Sequence, residues 1–164
     1  MRQDNKNKNE SSDAYDVFIS YCHKDKQKAD ELFNLLTRDL NLRVWKDNKG
    51  GIHYGKDFGV EIKTGLKTSK CFVSVMTKQY MSSENCGKEI QLASHFKKKV
   101  FLLMFESIRL EDTDIAYFTI GIQRCNLYKK MNSFHFSLSS EFQKFIQALL
   151  KEVRGSGNIQ VQVI

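Results

Sequence analysis

Apolar and polar positions fall into two kinds of block along this chain, and the two kinds predict different elements. Runs dense in β-formers occupy residues 16–21 (DVFISY, led in by Tyr15), 42–45 (LRVW), 71–76 (CFVSVM), 100–105 (VFLLMF) and, more weakly, 124–128. Those at 71–76 and 100–105 are almost unbroken, as expected for strands covered on both faces. Elsewhere the apolar residues recur at helical spacing. Ala29, Leu32, Phe33, Leu36 and Leu40 mark a helix over 27–40, and Val60, Ile62 and Leu66 a second over 57–68. A last helix over 139–153 gathers Phe142, Phe145, Ile146, Leu149, Leu150 and Val153 on one side, with Ser139 or Ser140 available as its cap. Strand and helix alternate, which predicts a parallel sheet with helices on both faces and right-handed crossovers.

The helix over 82–96 (SSENCGKEIQLASHF) breaks its own pattern. At about 100° per residue, Cys86, Ile90, Leu92, Ala93 and Phe96 share an apolar arc roughly 160° wide, and Glu89 lands inside it. An ionised carboxylate turned toward a core costs several kcal/mol unless something answers it. Either a basic partner waits inside the fold or this helix lines a cleft.

Ligands of such sheets gather beyond the carboxyl ends of the strands, where strand order reverses. That rim would carry Cys22 and His23 after the first strand and residues 77–83 after the third, with Glu89 close by. It would also carry the segment 47–56 after the second strand, whose three glycines free the backbone to approach a ligand.

The ends of the chain have a different character. Residues 1–13 offer almost nothing to bury and are expected to be a disordered arm, leaving a domain over 14–154. The GSG near residue 156 suggests a hinge, and 159–164 alternate like a half-buried strand, either an edge strand or the opening of a further region.

Composition narrows the function classes. With 164 residues, 41% hydrophobic, and a mean hydropathy of −0.46, the chain suits one globular domain. No apolar run approaches the roughly 18 residues of a spanning helix, and the first residues lack the apolar centre of a signal peptide, so a cytoplasmic location is expected. Cys22, Cys71, Cys86 and Cys125 show neither zinc spacing nor a disulfide framework, and His23, His53, His95 and His135 do not cluster; no metal is expected. The net charge of +7 is spread out, its densest run being Lys97, Lys98 and Lys99. No nucleic-acid module is recognisable, whereas a modest positive field also suits a phosphate-bearing small molecule.

Three motifs carry a resemblance. The stretch Tyr15-Asp-Val-Phe-Ile-Ser-Tyr21, the strand Val44-Trp-Lys-Asp47 leading into a glycine-bearing loop, and Tyr80-x-Ser-Ser-x-x-Cys86-x-x-Glu89 together resemble the TIR (Toll/interleukin receptor) domain family over about residues 14–153. The resemblance implies a flavodoxin-like three-layer α/β domain with a five-stranded parallel sheet in the order 2-1-3-4-5. It also implies one of two occupations. Some members are non-catalytic adaptors acting through homotypic TIR–TIR contacts. Others cleave the nicotinamide–ribose bond of NAD, as glycohydrolases or cyclases activated by self-assembly in immune or cell-death signalling, and use a glutamate at the position Glu89 matches. A transfer of ADP-ribose to another acceptor is a third possibility.

Segment 47–56 corresponds to the family's BB loop, in which receptor-type adaptors usually carry a proline; this chain has none, which favours the enzymatic branch. NAD would be the substrate, with no cofactor. Glu89 is the expected catalytic residue, with Tyr21, Cys22, His23, Asp47, Gly51, Tyr54, Ser83 and Cys86 about the substrate. Many enzymatic relatives have tryptophan immediately before the position of Cys86, where this chain has Asn85, so an aromatic wall would fall to Tyr54, Phe58 or Tyr80. Lys46, Lys49 and Lys56 are candidates for the phosphates, against the alternative of exposed loop lysines. Trp45 is a core residue or a stacking platform, Ser83 a helix cap or a substrate contact, Cys86 a packing residue, and His23 a solvated loop histidine or a proton carrier.

Overall fold

The computed structural model describes residues 14–47, 56–130 and 139–155. Its strands are β1 (Tyr15–Ser20), β2 (Val44–Lys46), β3 (Ser69–Met76), β4 (Lys99–Met104) and β5 (Arg124–Asn126). They pair in parallel in the order β2-β1-β3-β4-β5, the flavodoxin-like 2-1-3-4-5 arrangement. Among the described residues the helices are α1 (Lys26–Asn34), α2 (Lys56–Lys67), α3 (Lys78–Met81), α4 (Glu84–His95), α5 (Ala116–Thr119) and α6 (Ser140–Arg154).

The unbroken apolar runs are explained by two separate cores, one on each face of the sheet. Val17, Cys71, Val73 and Leu103 point to one face, where Leu32 and Leu36 of the first helical segment and Phe142, Ile146 and Leu149 of α6 cover them. Phe18, Phe72, Leu102 and Met104 point to the other, beneath Leu66 of α2 and Ile90 and Ala93 of α4. Ser139 caps α6 as expected, accepting from the Phe142 amide.

Three elements differ from the pattern. The second strand begins at Val44 and not at residue 42. After α1 the chain continues as a π-helical turn, Leu35–Asp39, and Asn41 takes a left-handed φ of 52°, which turns Leu42 into the α1-side core. Residues 78–81, within the rim segment that follows the third strand, form a short helix whose start the Thr77 hydroxyl caps by accepting from the Tyr80 amide. The fifth strand stops at Asn126, where a 3-10 turn, Leu127–Lys130, begins. The expected N-terminal arm and the alternating segment 159–164 lie outside the described residues.

Candidate active site

A hollow of about 280 Å³ opens at the carboxyl ends of β1 and β2, against the N-terminal turns of α4. Ile19, Tyr21, Cys22 and His23 line it from the β1 end, Trp45 and Asp47 from the β2 end, and Ser83, Asn85, Cys86 and Glu89 from α4 and its cap. Thus Tyr21, Cys22, His23, Asp47, Ser83, Cys86 and Glu89, named from the sequence, converge on one space. Gly51 and Tyr54 lie outside the described residues, as do Lys49 and the side chains of Lys56 and Phe58.

Glu89 is part-exposed, because the hollow reaches it, while protein surrounds its carboxylate on the other sides. Burial pushes its pKa up from the ordinary 4.5 to about 7; the Ser20 hydroxyl opposes that rise and the nearby negative charge of Asp47 adds to it. Ser20 Oγ donates to Glu89 Oε2 at 2.5 Å. Among the described residues no lysine or arginine pairs with Glu89, so the internal ion pair that the sequence left open is not what answers this carboxylate.

The lysine between Trp45 and Asp47 is committed elsewhere. Lys46 was a candidate for phosphate contact, but its ammonium lies on the α1 side of the sheet. Only 3% of its side chain is exposed, 2.5 Å from Asp30 Oδ1, with the rings of Tyr21 and Phe33 at 5.5 and 5.4 Å. This pairing and packing withdraw Lys46 from any ligand in the hollow. Tyr21 in turn donates its hydroxyl to the Asp47 carbonyl, tying the end of β1 to the exit of β2.

The aromatic surface in the hollow is Trp45. Its ring stacks on Phe18, with centroids 4.4 Å apart and planes 8° from parallel, so it is both core and wall. Gly65 of α2 makes this possible, since a Cβ there would sit 2.5 Å from the indole nitrogen. Tyr80, considered for the wall, is instead buried behind it, with its hydroxyl 2.9 Å from Ser20 Oγ.

The remaining residues support this frame. Ser83 caps α4 by accepting from the Cys86 amide, and it also borders the hollow. Cys86 is buried, which pushes its thiol up to about 12, so it is a packing group as well as a lining one. His23 is exposed at the mouth. The loop carrying Cys22 and His23 is fixed from below by Asp25, which accepts from Thr77 Oγ1 at 2.5 Å and pairs with Lys28 at 2.9 Å.

Sequence reasoning did not assign Ser20 or Asn85 to the site and did not settle the place of Trp45. Ser20 did leave a signal, as a small polar residue directly after the apolar run Val17-Phe18-Ile19 of its strand.

The fold and this hollow define a flavodoxin-like α/β domain with an acidic site at the carboxyl edge of its sheet. The family profile described as TIR domain matches residues 17–151, and the chain belongs to the TIR-domain family. The TIR domain of the Toll-related receptor TRR-2 from the lower metazoan Hydra magnipapillata is similar in fold, with a TM-score of 0.62 at 14% identity, covering 82% of this chain and 98% of that one. The TIR domains of the activated Roq1 resistosome, which directly recognises the pathogen effector XopQ, match with a TM-score of 0.49 at 21% identity, covering 88% of this chain and 86% of that one. Among curated proteins none matches. No helix among the described residues is long and apolar enough to cross a membrane.

Proposed function

We propose that this domain cleaves the nicotinamide–ribose bond of NAD, with Glu89 as the reacting carboxylate. The observation that carries this reading is a part-exposed carboxylate with no basic partner among the described residues, held by Ser20 at the base of a hollow beside an indole.

When the bond from C1′ to the ring nitrogen breaks, its electron pair leaves with nicotinamide, which departs neutral and needs no general acid. Positive charge then builds on the ribose, as in glycoside hydrolysis. An ionised Glu89 at the ribose hydroxyls stabilises that charge, the more so where protein has displaced water. Water, or a nucleophile of the same dinucleotide, then attacks C1′. A carboxylate whose pKa lies at about 7 is suited to take the proton that water releases. Trp45 and Asp47 border the space in which the nicotinamide ring would sit.

Nicotinamide release from NAD, followed at high protein concentration so that self-assembly is not limiting, tests this directly. Release by the wild type and its loss in Glu89→Ala are expected; equal traces would remove Glu89 from the mechanism. Mass spectrometry of the other product distinguishes linear from cyclic ADP-ribose and from transfer to another acceptor.

A second reading, a non-catalytic module joining other TIR domains, is favoured by the side chains of Tyr117 and Ile120, which stand 81% and 76% exposed around α5. It predicts that Glu89→Ala leaves assembly intact while substitutions at Gly51 or Tyr54 abolish it.

A further inference from the structure

Behind the hollow, two hydroxyls stand in line with the Glu89 carboxylate. Ser20 is the last residue of β1 and only 1% exposed; its Oγ lies 2.9 Å from Tyr80 Oη and 2.5 Å from Glu89 Oε2. Tyr80 is equally buried and is held by α3, whose cap Thr77 is itself bonded to Asp25. The three groups come from β1, α3 and α4, and neither hydroxyl lines the hollow.

We propose that Ser20 and Tyr80 are positioning residues, forming a hydroxyl relay that aims the Glu89 carboxylate into the hollow and favours its ionised state. The proposal rests on the reading of Glu89 as the reacting group.

Each hydroxyl carries one proton, so the relay runs in one of two directions. With Glu89 ionised, Tyr80 donates to Ser20 and Ser20 donates to Glu89, and both protons are well placed. With Glu89 protonated the order reverses, and the Tyr80 proton is left with the Cys86 carbonyl at 3.5 Å, the outer limit of a hydrogen bond. The relay therefore discriminates between the two states through a bond that is good in only one of them.

Against it stand burial and the charge of Asp47 at the end of β2. The other titratable groups facing Glu89 are Tyr21 and Cys22 from the β1 end, Tyr80 from α3 and Cys86 from α4, with His23 at the mouth. Burial raises Tyr21, Tyr80 and Cys86, so these three stay neutral at physiological pH. No cation among the described residues supplies the relay's effect.

The test is a titration of Glu89 itself, which needs no turnover. In protein labelled with ¹³C at the glutamate carboxyl, the Glu89 resonance is identified by its absence in Glu89→Gln, and its midpoint is followed in wild type, Ser20→Ala, Ser20→Thr and Tyr80→Phe. A hydrogen bond to a charged group contributes enough that Ser20→Ala should raise the midpoint by about one pH unit. Tyr80→Phe should raise it less, and Ser20→Thr should restore it. The acid limb of kcat/KM should move by the same amounts. Should Ser20→Ala fail to fold, Tyr80→Phe, which keeps the ring, decides by the same midpoint. Unmoved midpoints in folded variants would overturn the relay even if NAD is cleaved. Moved midpoints in a protein that releases no nicotinamide would support the relay and remove only the proposed reaction.

Discussion

Replacing Glu89 by glutamine should stabilise this domain at high pH and leave it nearly unchanged at low pH. In the unfolded chain this carboxyl titrates at its ordinary 4.5, and in the folded state burial raises it to about 7. The folded protein therefore binds the proton more tightly, and stability falls as pH rises from 4.5 toward 7. Below that window the group is neutral in both states and contributes no penalty; above it the penalty is complete. A displacement of this size corresponds to about 3 kcal/mol, which water entering the hollow reduces to about 2 kcal/mol. In a domain of this length that is about 4–8 °C in melting temperature. Glutamine keeps the shape of the side chain and an oxygen for the Ser20 hydroxyl, so packing and the hydrogen bond drop out of the comparison. Melting curves by circular dichroism at half-unit steps from pH 4 to 8.5, for both proteins, give the difference directly, and all other titrations cancel between them. A gap between the curves that opens through the window, with the variant the more stable at pH 8, is expected. A gap independent of pH would mean that the carboxylate is well hydrated, and the electrostatic part of the catalytic reading would fall with it.

Other outcomes follow from neighbouring parts of the fold. If NAD is cleaved with Glu89 ionised, kcat/KM should climb about tenfold per pH unit below about 7 and level off above it; a flat profile from pH 5.5 to 8 contradicts that role. At the opposite edge of the sheet, burial pushes Asp16 up, but the hydrogen bonds from Arg43 and Lys70 outweigh it and bring its pKa from 3.8 down to about 2. Asp16→Asn should therefore lose about 2 kcal/mol at neutral pH, a loss that shrinks as pH falls through about 2 and that urea unfolding at pH 7 and pH 3 would read. Gly65→Ala should push the Trp45 ring off Phe18 at a cost of about 1–3 kcal/mol. Because Trp45 is the single tryptophan of the chain, its emission should change in that variant and on addition of nicotinamide to the wild type; unchanged spectra in both would deny the ring its place in the wall.

The parts of this molecule that were legible in sequence are those that local periodicity controls. The run at 71–76 announced a strand covered on both sides, and β3 is buried by α-helices from both layers. The arc of the helix over 82–96 placed Cys86, Ile90 and Ala93 inward, and all three are buried in α4. The same arc showed that Glu89 faces inward, and the topology placed it near the rim where Cys22, His23 and Asp47 meet it. Pairings between distant residues could not be read this way. Asp25 meets Thr77 across 52 positions, Ser20 meets Tyr80 across 60, and α3 is too short to show any period. Lys46 is the instructive case. A lysine at the end of a strand beside a glycine-bearing loop looks available to a ligand, but strand alternation puts it on the face opposite Trp45, and there Asp30 of α1 holds it. That pairing keeps its ammonium out of the hollow. With Lys46 held by Asp30, the acidic groups that line the hollow among the described residues are Asp47 and Glu89; under the proposed reaction it is Glu89, bonded to Ser20, that would meet the positive charge a departing nicotinamide leaves on the ribose.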